Sequence, residues 1–212
     1  MDDGGRTRNR GGRPRAPKPT FAERRERRAE VEDVAEVLDA AARFLEVRPR
    51  SVHEVRHKLT TMGYRSALVD EIVVRLTDLR YLDDEAFTRA WVESRDRSRP
   101  RGEHALRREL RLKGVDRALV DEVLDQRRNE VRANAVSAGD GGLPSPDDAA
   151  AERLLRKKLP AILREPDPRR RRQRAYALLA RSGFSPDVCA SVGRSVLEDV
   201  AAAEDGQESD GP

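Results

Sequence analysis

Cysteine is nearly absent. Cys189 is the only one among 212 residues, so no disulfide within the chain can staple a small fold. It stands at an apolar position of a helical pattern and reads as packing, not as a nucleophile. Aromatic residues make up only 4% of the chain, which argues against sequence-specific reading of single strands by base stacking. No run approaches the ~20 apolar residues that span a bilayer. No apolar stretch follows the N-terminal arginines, so they do not open a secretory signal. These absences point to a cytoplasmic protein without a membrane partner. Strand-length alternation bounded by turn signals is also missing, as are a glycine-rich phosphate cradle after a strand and a G-x-S-x-G motif. The chain reads as all-α, with no cofactor and no enzymatic constellation.

What is abundant is charge, at 39% against 37% hydrophobic. That balance disfavours one thick core and fits many small helices, each burying a thin stripe. The net charge of +4 hides an uneven distribution. Residues 1–28 carry ten Lys/Arg against four Asp/Glu, and residues 198–212 carry six acids and no base. Between them, residues 152–174 hold ten basic and three acidic side chains. A local excess of this kind suits a polyanion or an acidic protein groove.

One unit is written three times. "KLTTMGYRSALVDEIVVRL", "ELRLKGVDRALVDEVL" and "ALLARSGFSPDVCASVGRSV" align on Gly63, Gly114 and Gly183. Four residues before each glycine stands Leu59, Leu110 or Leu179; one residue after stands Tyr64, Val115 or Phe184. A helix closed by a left-handed glycine brings those two positions together. Ser66, Asp116 and Ser185 then read as N-caps of the next helix, with Pro186 at a permitted first position. Leu68 and Ile72, Leu119 and Val123, and Val188 and Val192 continue the apolar face. Pro49 and Pro100 lie fourteen residues before their glycines and Pro168 fifteen, so each copy reads as a three-helix unit. Units this small complete their cores by stacking. The expected architecture is three tandem three-helix repeats in an elongated, curved array. Its boundaries are a disordered basic arm at 1–28, repeats at 29–82, 83–136 and 149–199, a linker at 137–148 and a disordered acidic tail at 200–212. The composition turns helical from Phe21, and in the first repeat Val31, Val34, Leu38, Ala42 and Leu45 are expected to line one face. In the second, Asp83 reads as an N-cap, Leu82 and Phe87 stand at the spacing of a hydrophobic staple, and Phe87 and Trp91 read as core.

"HEVRH", His53 to His57, matches the short zinc-protease pattern. His104 stands opposite His53 in the repeat and no further ligand follows, while Val52, Val55, Leu59 and Met62 form the buried stripe. Both histidines therefore fall on the wet side, and metal chemistry is set aside. The candidate partner-binding residues are basic: Arg101, Arg107, Arg108, Arg111 and Lys113 around the second repeat's middle helix, then Arg169, Arg170, Arg171 and Arg172 in the third. Such clusters neutralise phosphates or dock on acidic protein, both salt-sensitive. The competing role is structural, with long arginine stems covering thin helical cores.

"YLDDEAFTRAWVESR" followed by "RPRGEHALRRELRLKGVDRALVDEVL", residues 81–124, resembles the RecX family of recombinase regulators. "RPRSVHEVRHKLTTMGY" is similar to that family's preceding helical section; the third copy fits loosely, and 137–148 looks like an insertion. The resemblance implies tandem three-helix repeats. It implies binding to RecA, chiefly the RecA filament on single-stranded DNA, with recombination, ATP turnover and SOS co-protease activity restrained. It offers no catalytic residue. On that reading the protein is a monomer that contacts RecA and, as a second partner, DNA. The other readings are a helix-turn-helix-like protein acting directly on DNA, and a general helical adaptor. Against the first, the helices after the glycines are acidic and apolar where a major groove would need basic residues.

Overall fold

The computed structural model describes residues 19–137 and 145–208, and among them the chain is wholly helical. The outer arm at 1–18, linker residues 138–144 and the terminal 209–212 lie outside the described residues. Repeat 1 is α2 (Val34–Leu45), α3 (Val52–Met62) and α4 (Ser66–Asp78). Repeat 2 is α5 (Asp84–Ser98), α6 (Glu103–Leu112) and α7 (Arg117–Ser137), and repeat 3 is α8 (Pro146–Leu163), α9 (Pro168–Arg181) and α10 (Pro186–Glu208). A further helix, α1 (Phe21–Ala29), precedes them.

The three glycines organise each unit as expected. Gly63, Gly114 and Gly183 have φ of 107°, 72° and 86°, the left-handed region where a side chain is strained. The amide after each glycine donates back to the leucine carbonyl: Tyr64 to Leu59 at 3.3 Å, Val115 to Leu110 at 3.2 Å and Phe184 to Leu179 at 3.3 Å. Each glycine N–H donates to Thr60, Arg111 or Ala180, completing a Schellman motif. The three leucines are fully buried, each in its own repeat's cluster. Asp116 and Ser185 cap α7 and α10 by accepting from Ala118 (2.8 Å) and Val188 (3.3 Å).

Several expectations shift. Ser66 is not a cap but the first residue of α4; Arg65 precedes it, without a side-chain cap bond. Around α2 the expected face holds for Val31, Val34, Leu38 and Leu45, which pack half-buried against the core, but Ala42 is exposed and the fully buried positions are Val37 and Ala41. Leu82 and Phe87 do not staple one helix into one core: Leu82 belongs to repeat 1's cluster and Phe87 to repeat 2's. The arm expected to be disordered to residue 28 is helical from Phe21, closed by a capping box in which Glu23 accepts from the Thr20 N–H at 2.7 Å. Helix α8 begins three residues earlier than expected, behind a Ser145–Asp148 capping box, and α10 runs on to Glu208.

A fourth Schellman turn ends α4 without a glycine. Arg80 takes φ 60°, with Arg80 N–H on Thr77 O at 3.0 Å and Tyr81 N–H on Leu76 O at 2.9 Å. Its side chain is 83% exposed and pairs with Asp83 at 3.4 Å, so little packing offsets the strain. Arg80→Gly is expected to raise stability by about 1 kcal/mol in urea unfolding, the lower end of what a left-handed side chain costs.

The repeats are joined by a contact that itself repeats. The carbonyl preceding each motif glycine has no partner within its helix, and the previous unit supplies one. Ser51 Oγ donates to Lys113 O at 2.6 Å, and the Gly102 N–H donates to Ser182 O at 3.1 Å. Ser51 and Gly102 both lie twelve residues before their own glycine, at the head of the second helix. In return the next repeat's first helix offers a carboxylate. Asp84 accepts from the Val52 N–H and Asp147 from the Glu103 N–H, each at 2.9 Å. For repeat 1 the missing predecessor is replaced by α1, whose Arg28 donates to Met62 O at 3.4 Å. Helix α1 buries none of its own residues, so it acts as a cap on the array, not as part of a core.

Candidate partner-binding surface

The structure sorts the nine basic candidates into those that hold the fold and those that face solvent. Arg107 holds the fold: it bridges Glu103 on its own helix at 2.9 Å and Asp121 on α7 at 2.8 Å. The Asp121 hydrogen bond, despite partial burial, pushes the Arg107 guanidinium above its ordinary range. Its counterpart in repeat 1 is Arg56, which makes the same bridge to Asp70 at 2.9 Å. Lys113 reaches back across the joint to Glu54 at 2.7 Å and lies 5.1 Å from the Trp91 ring centre. Arg101 lies 3.5 Å from Glu109, which also takes Arg95 at 2.7 Å and the Trp91 Nε1–H at 3.0 Å. Trp91 packs against Phe87 at 5.8 Å and is core, as expected.

Glu54 is the hub of the first joint, with Arg48 at 2.9 Å besides Lys113. Burial pushes its carboxyl up, but the hydrogen bonds from Lys113 and Arg48 outweigh that and hold it below the usual carboxylate range. Because the folded value is depressed, the stability Glu54 contributes is present above the ordinary glutamate value near ~4.3 and is lost as pH falls through the folded value. Glu54→Gln is therefore expected to destabilise the protein at neutral pH, with the difference from wild type closing below about pH 4. Urea unfolding of both proteins across that range checks it.

Arg108 and Arg111 are exposed and make no ion pair among the described residues. With exposed His104 and Leu112, the latter 74% accessible, they fall on one side of α6 at helical spacing. In repeat 3, Arg171 is drawn inward, its Nε–H donating to Glu165 O at 2.5 Å, and Arg170 leans on Asp167 at 3.8 Å. Arg169 and Arg172 are exposed, with side chains unpaired among the described residues. Of the nine candidates, Arg108, Arg111, Arg169 and Arg172, all on second helices, are thus exposed and unpaired among the described residues.

Sequence reading missed Arg127. It stands thirteen residues after Gly114, where repeats 1 and 3 bury Leu76 and Val196. Its guanidinium is 9% exposed and bridges repeats 2 and 3, meeting both Asp96 oxygens at 2.9 and 2.7 Å and Asp147 at 2.9 Å. Burial alone would lower its pKa, but the two carboxylates more than reverse that. The signal was in the repeat alignment, as a charge in an otherwise apolar column. His53 and His57 are exposed and stack at 6.1 Å, and no group of three or more His, Cys, Asp or Glu among the described residues is placed to hold a metal. Cys189 is buried, and burial pushes its thiol up. No helix among the described residues is long and apolar enough to cross a membrane.

Fold and surface together define a class: tandem three-helix repeats, joined head to seat, that present basic helix faces. Each unit has a counterpart in one family. Residues 38–76 match the first three-helix domain of RecX, 83–124 the second and 146–192 the third. The chain belongs to the RecX family. It is 33% identical to the regulatory protein RecX of Mycobacterium sp. (strain KMS) over 153 residues, covering 71% of this chain and 75% of that one. Against the regulatory protein RecX of Mycobacterium ulcerans (strain Agy99) it is 32% identical over 163 residues, 77% of this chain and 84% of the relative. The crystal structure of RecX from Lactobacillus salivarius superposes with a TM-score of 0.61 at 18% identity, covering 77% of this chain and 96% of that one. That likeness concerns the fold. Family membership makes this chain a RecX-type regulatory protein.

Proposed function

We propose that this protein binds RecA and the RecA filament on single-stranded DNA, in the cytoplasm and as a monomer, and inhibits recombination, ATP turnover and SOS co-protease activity without catalysing a reaction. The observation that carries this reading is the match of all three RecX domains, in order, along one chain. The surface is consistent with it. Arginines not used to hold the fold lie on successive repeats, an arrangement suited to gripping more than one subunit of a filament. Each repeat then bridges neighbouring subunits and hinders their rearrangement during assembly or turnover.

Replacing Arg108 and Arg111 together by Glu is expected to weaken co-sedimentation with RecA–DNA filaments at least tenfold, with the fold intact, since neither side chain pairs internally. Adding Arg169→Glu and Arg172→Glu is expected to abolish it. Undiminished binding by the fourfold variant would remove these arginines from the interface. Equal loss of binding to bare DNA and to filaments in the Arg108 and Arg111 double variant would favour direct action on DNA.

A further inference from the structure

Repeat 3 departs from the other two at one place. In repeats 1 and 2 the second and third helices are laced by the equivalent pairs Arg56–Asp70 at 2.9 Å and Arg107–Asp121 at 2.8 Å. Counting from the glycines, those positions in repeat 3 are Tyr176 and Ala190. A second change accompanies the first. Val73 and Leu124, buried at 3% and 0% in the cores of repeats 1 and 2, hold the position on the third helix where repeat 3 has Gly193. A Cβ added at Gly193 meets nothing within 4 Å, so the glycine leaves room that no neighbour takes up. The result is an open groove between α9 and α10, lined by Arg172, Gln173, Tyr176, Ala190, Gly193 and Arg194.

The lining has a definite chemistry. Tyr176 is 42% exposed and makes no hydrogen bond among the described residues. Arg172, one turn before Tyr176 on α9, and Arg194 on α10 are exposed and make no ion pair among the described residues. Glu198 also borders the groove, one turn beyond Arg194. An aromatic face beside a floor of small residues, Cys189, Ala190 and Gly193, takes a flat ring, and two guanidiniums beside it take phosphates; Gln173 brings an amide for a base edge. Every nucleobase has a π-face, so such a site is tolerant of sequence.

We infer that the α9–α10 groove of repeat 3 is a single-stranded nucleic acid subsite, in which one nucleobase stacks on Tyr176 over Gly193 while Arg172 and Arg194 hold the flanking phosphates. The inference rests on the regulator reading for its setting, a filament that holds single-stranded DNA, and it names the point of direct contact. The same positions leave repeats 1 and 2 without such a site, because their helices are bridged and hold an aliphatic residue in place of Gly193. A strand held there is anchored at one end of the repeat array.

The experiment uses the full chain and a fluorescently labelled oligothymidylate without any recombinase, so it fails or succeeds independently of RecA binding. Tyr176→Ala is expected to weaken binding about 5- to 100-fold, with Tyr176→Phe close to wild type. The logarithmic salt slope is expected to stay unchanged in Tyr176→Ala and to fall by about 0.7 for each of Arg172→Gln and Arg194→Gln. Gly193→Leu puts a side chain into the groove; it is expected to weaken binding without lowering the melting temperature. Unchanged binding by both Tyr176→Ala and Gly193→Leu overturns the inference. So does equal affinity for an abasic oligonucleotide, or for a poly-glutamate peptide of matched charge, which would make the groove a site for acidic peptide.

Discussion

Arg127→Ala is expected to cost about 3–5 kcal/mol, the range for breaking a buried ion pair by removing one partner. The side chain holds Asp96 of α5 and Asp147 of α8 together, so its loss strands two carboxylates at the joint between repeats 2 and 3. Asp147 has a further duty, accepting the Glu103 N–H at the head of α6. Cutting the clamp therefore weakens the seat as well as the ion pair. Against a typical total of roughly 5–15 kcal/mol the loss is large. Because repeats contribute stability locally and through their interfaces, unfolding is expected to split into two transitions, with repeat 3 melting apart from the rest. Arg127→Leu with Asp96→Asn and Asp147→Asn restores the apolar column and removes the stranded charges, and is expected to recover most of the loss. A small effect of Arg127→Ala with one sharp transition would show that the clamp is dispensable.

The second large effect comes from two identical substitutions ten residues apart, with opposite signs. Gly183→Ala forces a side chain to φ 86°, at roughly 1–2 kcal/mol. Its Cβ would also lie 2.4 Å from Ala105 Cβ and 2.6 Å from the Ala105 backbone nitrogen, adding about 1–3 kcal/mol of overpacking. Gly193→Ala meets no neighbour and lies within α10, where alanine is favoured over glycine by up to ~1 kcal/mol. Urea unfolding of the two variants is expected to place them on either side of wild type. A neutral Gly183→Ala would mean that the turn of repeat 3 is not seated against α6.

What was legible in the sequence follows from what each residue can do alone. A left-handed turn selects glycine almost uniquely, and the leucine and apolar neighbours it brings together recur at fixed offsets, so the repeat was visible from one chain. Asp116 and Ser185 were legible as caps for the same reason, since their short oxygens reach an amide two or three residues on. Helix α1 was legible only as a turn in composition at Phe21, because FAERRERRA buries nothing and leaves no stripe to bound it; the Thr20–Glu23 pair at its head was the sharper sign. Ser66 misled because serine is a good cap in general, although the repeat column puts Arg65, not Ser66, opposite Asp116 and Ser185.

The basic candidates show the sharper limit. Charge clustering marks where arginines are, but only packing decides what they touch. Arg101, Arg107 and Lys113 were indistinguishable in sequence from Arg108 and Arg111, yet their partners are internal: Glu109, the Glu103–Asp121 pair and Glu54. Arg127 was hidden for the opposite reason. One charge among many in an arginine-rich chain attracts no notice until its column in the other repeats is seen to hold leucine and valine. The α9–α10 groove is a further case, since a tyrosine, an alanine and a glycine stand out only against the ion pair and the aliphatic residue they replace.

The most direct test of the regulator reading is ATP turnover by RecA on single-stranded DNA while this protein is titrated in, with binding to free DNA followed in parallel. The expected result is inhibition at far fewer molecules than RecA subunits, at salt concentrations where free DNA is still largely unbound. Turnover that stays unchanged until the DNA itself is saturated would contradict it and leave a protein that merely competes for DNA.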